Sequence, residues 1–62
     1  METMRTETSE GVRSIIFSRA REYNTITFQF RDELSHAIDE ADADPDVRVV
    51  LLQAEGPAFC AG

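Results

Sequence analysis

The sequence predicts an α/β fold, an opening β-hairpin followed by a βαβ unit, on three observations. The run Val12-Arg13-Ser14-Ile15-Ile16-Phe17 is rich in β-branched and aromatic residues and follows the turn-forming Ser9-Glu10-Gly11. Residues 28–43 carry apolar side chains at helical spacing. A second apolar run, Val49-Val50-Leu51-Leu52, follows Pro45 and has the pattern of a strand covered on both faces of a parallel sheet.

Two strands are expected first, Thr3 to Glu7 and Val12 to Ser18, with Gly11 supplying the permissive backbone of a tight connection. Residues 19–26 break periodicity and read as a surface loop. Thr27 can cap a helix from Phe28 to about Ala43, because its hydroxyl can accept from an amide of the first turn that has no helical partner. At about 100° per residue, Phe30, Leu34, Ala37, Ile38 and Ala41 form one stripe, and Asp32, His36, Asp39 and Glu40 lie opposite. Pro45 stops the helix and pushes Asp44 toward extended geometry. Residues Val47 to Gln53 read as the last strand, and the helical connection makes it parallel to the second.

Composition removes several functions. The chain has 62 residues, six of them basic and all arginine, against twelve acids, for a net charge of −6. The arginines are scattered at 5, 13, 19, 21, 31 and 48, so no basic stripe follows a nucleic-acid backbone, and nucleic acid is not an expected partner. The longest apolar run is four residues, far short of the ~20 of a membrane span. The start Met1-Glu2-Thr3 lacks the features of a signal peptide, and Cys60 is the only cysteine; both favour a cytoplasmic location. One small domain at most fits this length, and a chain of this size buries only ~60% of its unfolded surface. Neither a disulfide nor a set of metal ligands is available to staple it, since Cys60 and His36 are each single.

Few side chains suggest chemistry. Cys60 needs a base or positive field to form thiolate, and His36 lies on the polar face of a helix ending well before it, so Cys60 reads as a small packed residue. The terminal Phe59-Cys60-Ala61-Gly62 suits close backbone approach to a ligand, as in an oxyanion or phosphate cradle, while composition alone favours a plain loop. Asp42, Asp44 and Asp46 alternate as in a calcium loop, but Val47 and Gln53 occupy the positions that need glycine and glutamate. His36, one turn from Asp32 and Glu40, reads as a surface histidine in a charged face. Arg19 and Arg21, just before the helix, can hold a phosphate or simply stand in solvent.

In order along the chain, these segments resemble the opening of the enoyl-CoA hydratase/isomerase, or crotonase, superfamily. The resemblance is carried by Asp44-Pro45-Asp46-Val47-Arg48-Val49-Val50-Leu51 followed closely by Gly56-Pro57-Ala58-Phe59-Cys60-Ala61-Gly62. The early strand, the stretch Arg19-Ala20-Arg21-Glu22-Tyr23-Asn24-Thr25-Ile26 and the helix complete it. Ala20 stands where the family has proline, and Asn24-Thr25-Ile26 where it has Asn-Ala-Leu. The resemblance implies an incomplete crotonase-like spiral core, with residues 1–62 the N-terminal part of a single domain. It implies an acyl-CoA enzyme in which two backbone amides polarise the thioester carbonyl and stabilise an enolate, with no separate cofactor and no metal.

By the same resemblance Arg21 sits near the CoA phosphates, the backbone of Tyr23 lines the CoA entrance, and the carbonyl of Ala61 faces the adenine ring. The first oxyanion amide belongs to the residue after Gly62. The second donor and the acid and base carboxylates lie beyond the 62 residues, and Glu33, Asp39 and Glu40, on a helix, do not replace them. The expectation is an N-terminal fragment without catalytic residues of its own. The complete family protein would be a homotrimer or hexamer, an assembly not expected of the fragment. The alternative is a small non-catalytic protein that binds a partner subunit or CoA through the exposed strand edge of residues 49–52.

Overall fold

A computed structural model describes residues 3–19 and 26–56. Strand β1 spans Met4–Ser9, β2 Val12–Phe17 and β3 Val49–Ala54, and helix α1 spans Phe28–Ala43. The strands form one sheet in the order β1-β2-β3, with β1 antiparallel and β3 parallel to β2. This is the expected hairpin followed by a βαβ unit.

The hairpin closes through two residues. Ser9 pairs with Val12, and Glu10 and Gly11 between them both take positive φ, 52° and 83°. Two successive positive φ angles are the mark of a type I′ turn, whose twist matches that of the flanking strands. Because the turn consumes only Glu10 and Gly11, β1 runs on to Ser9, past its expected end at Glu7. The ladder extends one step beyond the strands, where the Ser18 amide donates to the Thr3 carbonyl at 2.9 Å.

Helix α1 has the expected bounds. Thr27 is extended and its Oγ1 accepts from the Phe30 amide at 3.0 Å. At the other end Asp44 has the extended backbone that a following proline imposes. Its carbonyl accepts from Val47 at 3.1 Å and its Oδ1 from the Asp46 amide at 2.9 Å. That turn absorbs Val47 and Arg48, so β3 starts at Val49, two residues later than the sequence suggests. The Gly11 carbonyl then receives both Arg48 and Val49 amides, at 2.7 and 3.2 Å, seating β3 against the hairpin turn.

Strand register sorts the side chains by face, since directly paired residues point the same way. Met4, Phe17 and Ala54 stand in one line, and Thr6, Ile15 and Leu52 in the next. This face meets α1, and the core is Met4, Ile15, Phe17, Phe30 and Ala37, with Leu34 and Ala54 packed against it. Phe17 and Phe30 touch edge to face. Arg13, on the same face, donates from Nη2 to Asp44 Oδ2 at 3.0 Å, tying β2 to the end of the helix.

Strand β3 departs from expectation. Its apolar run is exposed, from 40% at Val50 and Leu52 to 54% at Val49. Helix α1 lies chiefly over β1, and among the described residues no strand stands beyond β3. The same displacement leaves Ile38, predicted on the buried stripe, 43% exposed.

Candidate functional site

Open α/β sheets bind their ligands beyond the carboxyl ends of parallel strands. Here those ends are Phe17 and Ala54, which pair directly. The Glu55 amide extends the pairing, donating to the Phe17 carbonyl at 2.9 Å, and Gly56 turns the chain with φ 83°. Ser18 and Arg19 leave β2 at the same end, both half-buried. Close by in sequence, Ile26, Thr27, Phe28 and Arg31 line a shallow concavity of about 300 Å³ at the start of α1, and Phe28 is 82% exposed.

Strand β1 begins at this end and ties down both sheet faces. On the helix side, buried Thr3 donates from its amide and from Oγ1 to Glu33 Oε1, each at 2.9 Å. On the opposite face the Arg5 guanidinium donates from Nη1 to Glu55 Oε2, reaching across β2 on the side where Ile16 points. Glu7 approaches the same guanidinium at 3.9 Å. The hydrogen bond to Glu55, with the charges of Glu55 and Glu7 behind it, outweighs desolvation and raises the Arg5 pKa above its ordinary value.

The other residues singled out in the sequence are dispersed. Asp44 is engaged by Arg13 and by the Asp46 amide, and among the described residues no three potential ligands gather to hold a metal. His36 donates from Nε2 to Glu40 one turn on, at 2.9 Å, with both side chains exposed. Glu33 is held by Thr3, and Asp39 and Glu40 face outward from α1. Arg19 stands at the site end of the sheet, whereas Arg21, Tyr23, Cys60 and Ala61 lie outside the described residues. Sequence reasoning missed Thr3, Arg5 and Glu55. Nothing local announces a contact between residues 50 apart; only the strand order β1-β2-β3 creates it.

A family profile described as enoyl-CoA hydratase/isomerase matches residues 7–62. The chain belongs to the enoyl-CoA hydratase/isomerase family. Among similar proteins, a peroxisomal Delta(3,5)-Delta(2,4)-dienoyl-CoA isomerase of Arabidopsis thaliana is 32% identical over all 62 residues, which amount to 22% of its own length. The 3-hydroxyisobutyryl-CoA hydrolase 1 of the same plant is 32% identical over 56 residues, 90% of this chain and 15% of that protein. A crystal structure of a probable enoyl-CoA hydratase from Mycobacterium thermoresistibile superposes on the whole chain with a TM-score of 0.97 at 31% identity, covering 26% of that chain. The chain thus spans about a fifth of the length of the curated relatives it matches. Its hairpin and βαβ unit are an incomplete crotonase-like core. No helix among the described residues is long and apolar enough to cross a membrane.

Proposed function

We propose that residues 1–62 form the N-terminal part of a single crotonase-like domain whose whole form acts on acyl-CoA thioesters through an enolate held by an oxyanion hole. The observation that carries this reading is the family match from residue 7 to residue 62. Negative charge developing on the thioester oxygen is best met by fixed amide donors in a water-poor site, and the segment after β3 would carry one such donor. In this reading Arg21 lies near the CoA phosphates, the Tyr23 backbone lines the CoA entrance and the Ala61 carbonyl faces adenine. The complete protein assembles as a homotrimer or hexamer, and its compartment is the cytoplasm. The single cysteine supports that location; a fluorescent fusion found in peroxisomes or mitochondria would remove it.

The 62-residue chain alone is, in this proposal, without turnover, because Glu33 is engaged by Thr3 and Asp39 and Glu40 face outward from α1, which leaves none of these three to act as acid or base. Purified chain incubated with crotonyl-CoA is expected to leave the enoyl absorbance at the blank rate. Sustained loss above blank would overturn the non-catalytic reading.

A second reading is favoured by the exposed apolar run of β3. In it the chain binds a partner subunit or CoA without chemistry, the partner supplying a strand to the open edge. Size-exclusion chromatography with and without a full-length family member separates the two, and a free monomer in both runs removes the partner model.

A further inference from the structure

We propose that Arg5 is a positioning residue for the segment that leaves β3, acting through Glu55. The inference rests on the acyl-CoA reading for its functional meaning, since that reading places ligand-facing backbone in residues 57–62.

Glu55 is the first residue after β3, and Gly56 turns the chain immediately afterwards. The exit of the chain from β3 is therefore made at Glu55 and Gly56. Its amide is fixed to the Phe17 carbonyl on β2. That bond fixes the backbone of Glu55 and leaves its side chain to be placed by other contacts. The Arg5 guanidinium supplies a second, from β1, two strands away and on the face opposite α1. Backbone and side chain of Glu55 are thus held from two different strands.

The energetic character of the pair fits positioning better than stabilisation. The side chains of Arg5 and Glu55 are 51% and 42% exposed, and exposed ion pairs contribute little to global stability. Their effect falls on local opening, which is read separately from global unfolding.

The test is amide hydrogen exchange on the full chain, without any CoA compound, so that its result and the turnover result are independent. Arg5→Gln is expected to speed exchange at the Glu55 amide, which is bonded to the Phe17 carbonyl, roughly two- to fivefold, the range that an exposed pair supports. Ile15, Ile16 and Leu51 should keep their wild-type rates. The reciprocal exchange R5E with E55R should restore protection, and Arg5→Lys should restore part of it. Glu7→Gln, which leaves the Arg5 to Glu55 contact in place, should change nothing at Glu55. In wild-type chain, raising salt to about 1 M should reproduce the local effect of Arg5→Gln, because screening shortens to about 3 Å; this arm stands even if a variant fails to fold. Unchanged exchange at Glu55, or equal acceleration in all three strands, would overturn the proposal.

Discussion

The rings of Phe17 and Phe30 meet edge to face, their centroids 4.8 Å apart and their planes inclined at 61°. One ring ends β2 and the other sits in the first turn of α1, so this contact joins the sheet to the helix at the candidate site. Truncating a buried phenylalanine to alanine costs about 3–5 kcal/mol. A chain this short has roughly 3–9 kcal/mol in total at typical values per residue. Phe30→Ala should therefore remove about a third or more of the total and lower the midpoint of a urea titration followed by circular dichroism well below that of Phe30→Leu.

The Thr27 cap offers a smaller effect with a sharper location. Its hydroxyl satisfies the Phe30 amide, and replacing such a cap with alanine typically costs about 1 kcal/mol. Thr27→Ala should lower the unfolding midpoint modestly, and Thr27→Ser should nearly restore it. A midpoint unchanged in Thr27→Ala would mean that the hydroxyl does not hold the helix start.

Glu10 holds φ at 52°, a conformation that suits asparagine or glycine in a type I′ turn. Glu10→Asn keeps the turn and removes most of the strain, for an expected gain of up to about 1 kcal/mol. Thermal unfolding of this variant should move upward, and a lower midpoint would contradict the turn assignment.

Thr3 and Glu33 make a part-buried version of the Arg5 tether. Glu33→Ala leaves the Thr3 amide and hydroxyl without the oxygen that accepts both, and an unmade buried hydrogen bond costs about 1–3 kcal/mol. The double variant Thr3→Val with Glu33→Ala should lose less than the two single losses added together. Simple additivity in that cycle would show that the two residues do not act as a pair.

Strand β3 presents an uncharged run from Val49 to Ala54 with no proline, the composition that natural edge strands avoid. Val50→Lys should reduce light scattering of concentrated chain without lowering helix content. An unchanged association propensity would show that contacts elsewhere control self-association.

Much of this fold was legible in the sequence because its signals are local. The hydroxyl of Thr27, the ring of Pro45 and the spacing of Phe30, Ala37 and Ala41 act within a turn or two of the chain, and each appears in the structure where periodicity places it. Strand ends were less legible, since Ser9 belongs to β1 only because Glu10 and Gly11 suffice for the turn, and φ angles are not written in residue names. The run Val49-Val50-Leu51-Leu52 reads as a strand covered on both faces, but what covers it is a property of the assembly around it, and in this chain it stays exposed. The candidate site divides similarly. Arg19 stands just past the carboxyl end of β2, whereas Arg5 and Glu55 meet only because β2 lies between β1 and β3.

The single carbonyl of Gly11 accepts from both Arg48 and Val49, so the reversal that makes the hairpin is also the socket for the crossover strand. Such an arrangement is expected to order the assembly, hairpin first. A hairpin of neighbouring residues closes in about 1–10 μs, before a distant strand has found its place. Docking of β3 waits on a turn already formed, and Gly11, at φ 83°, is where a side chain would strain that turn. Gly11→Ala should therefore slow refolding more than it speeds unfolding, making one glycine the kinetic gate of the sheet.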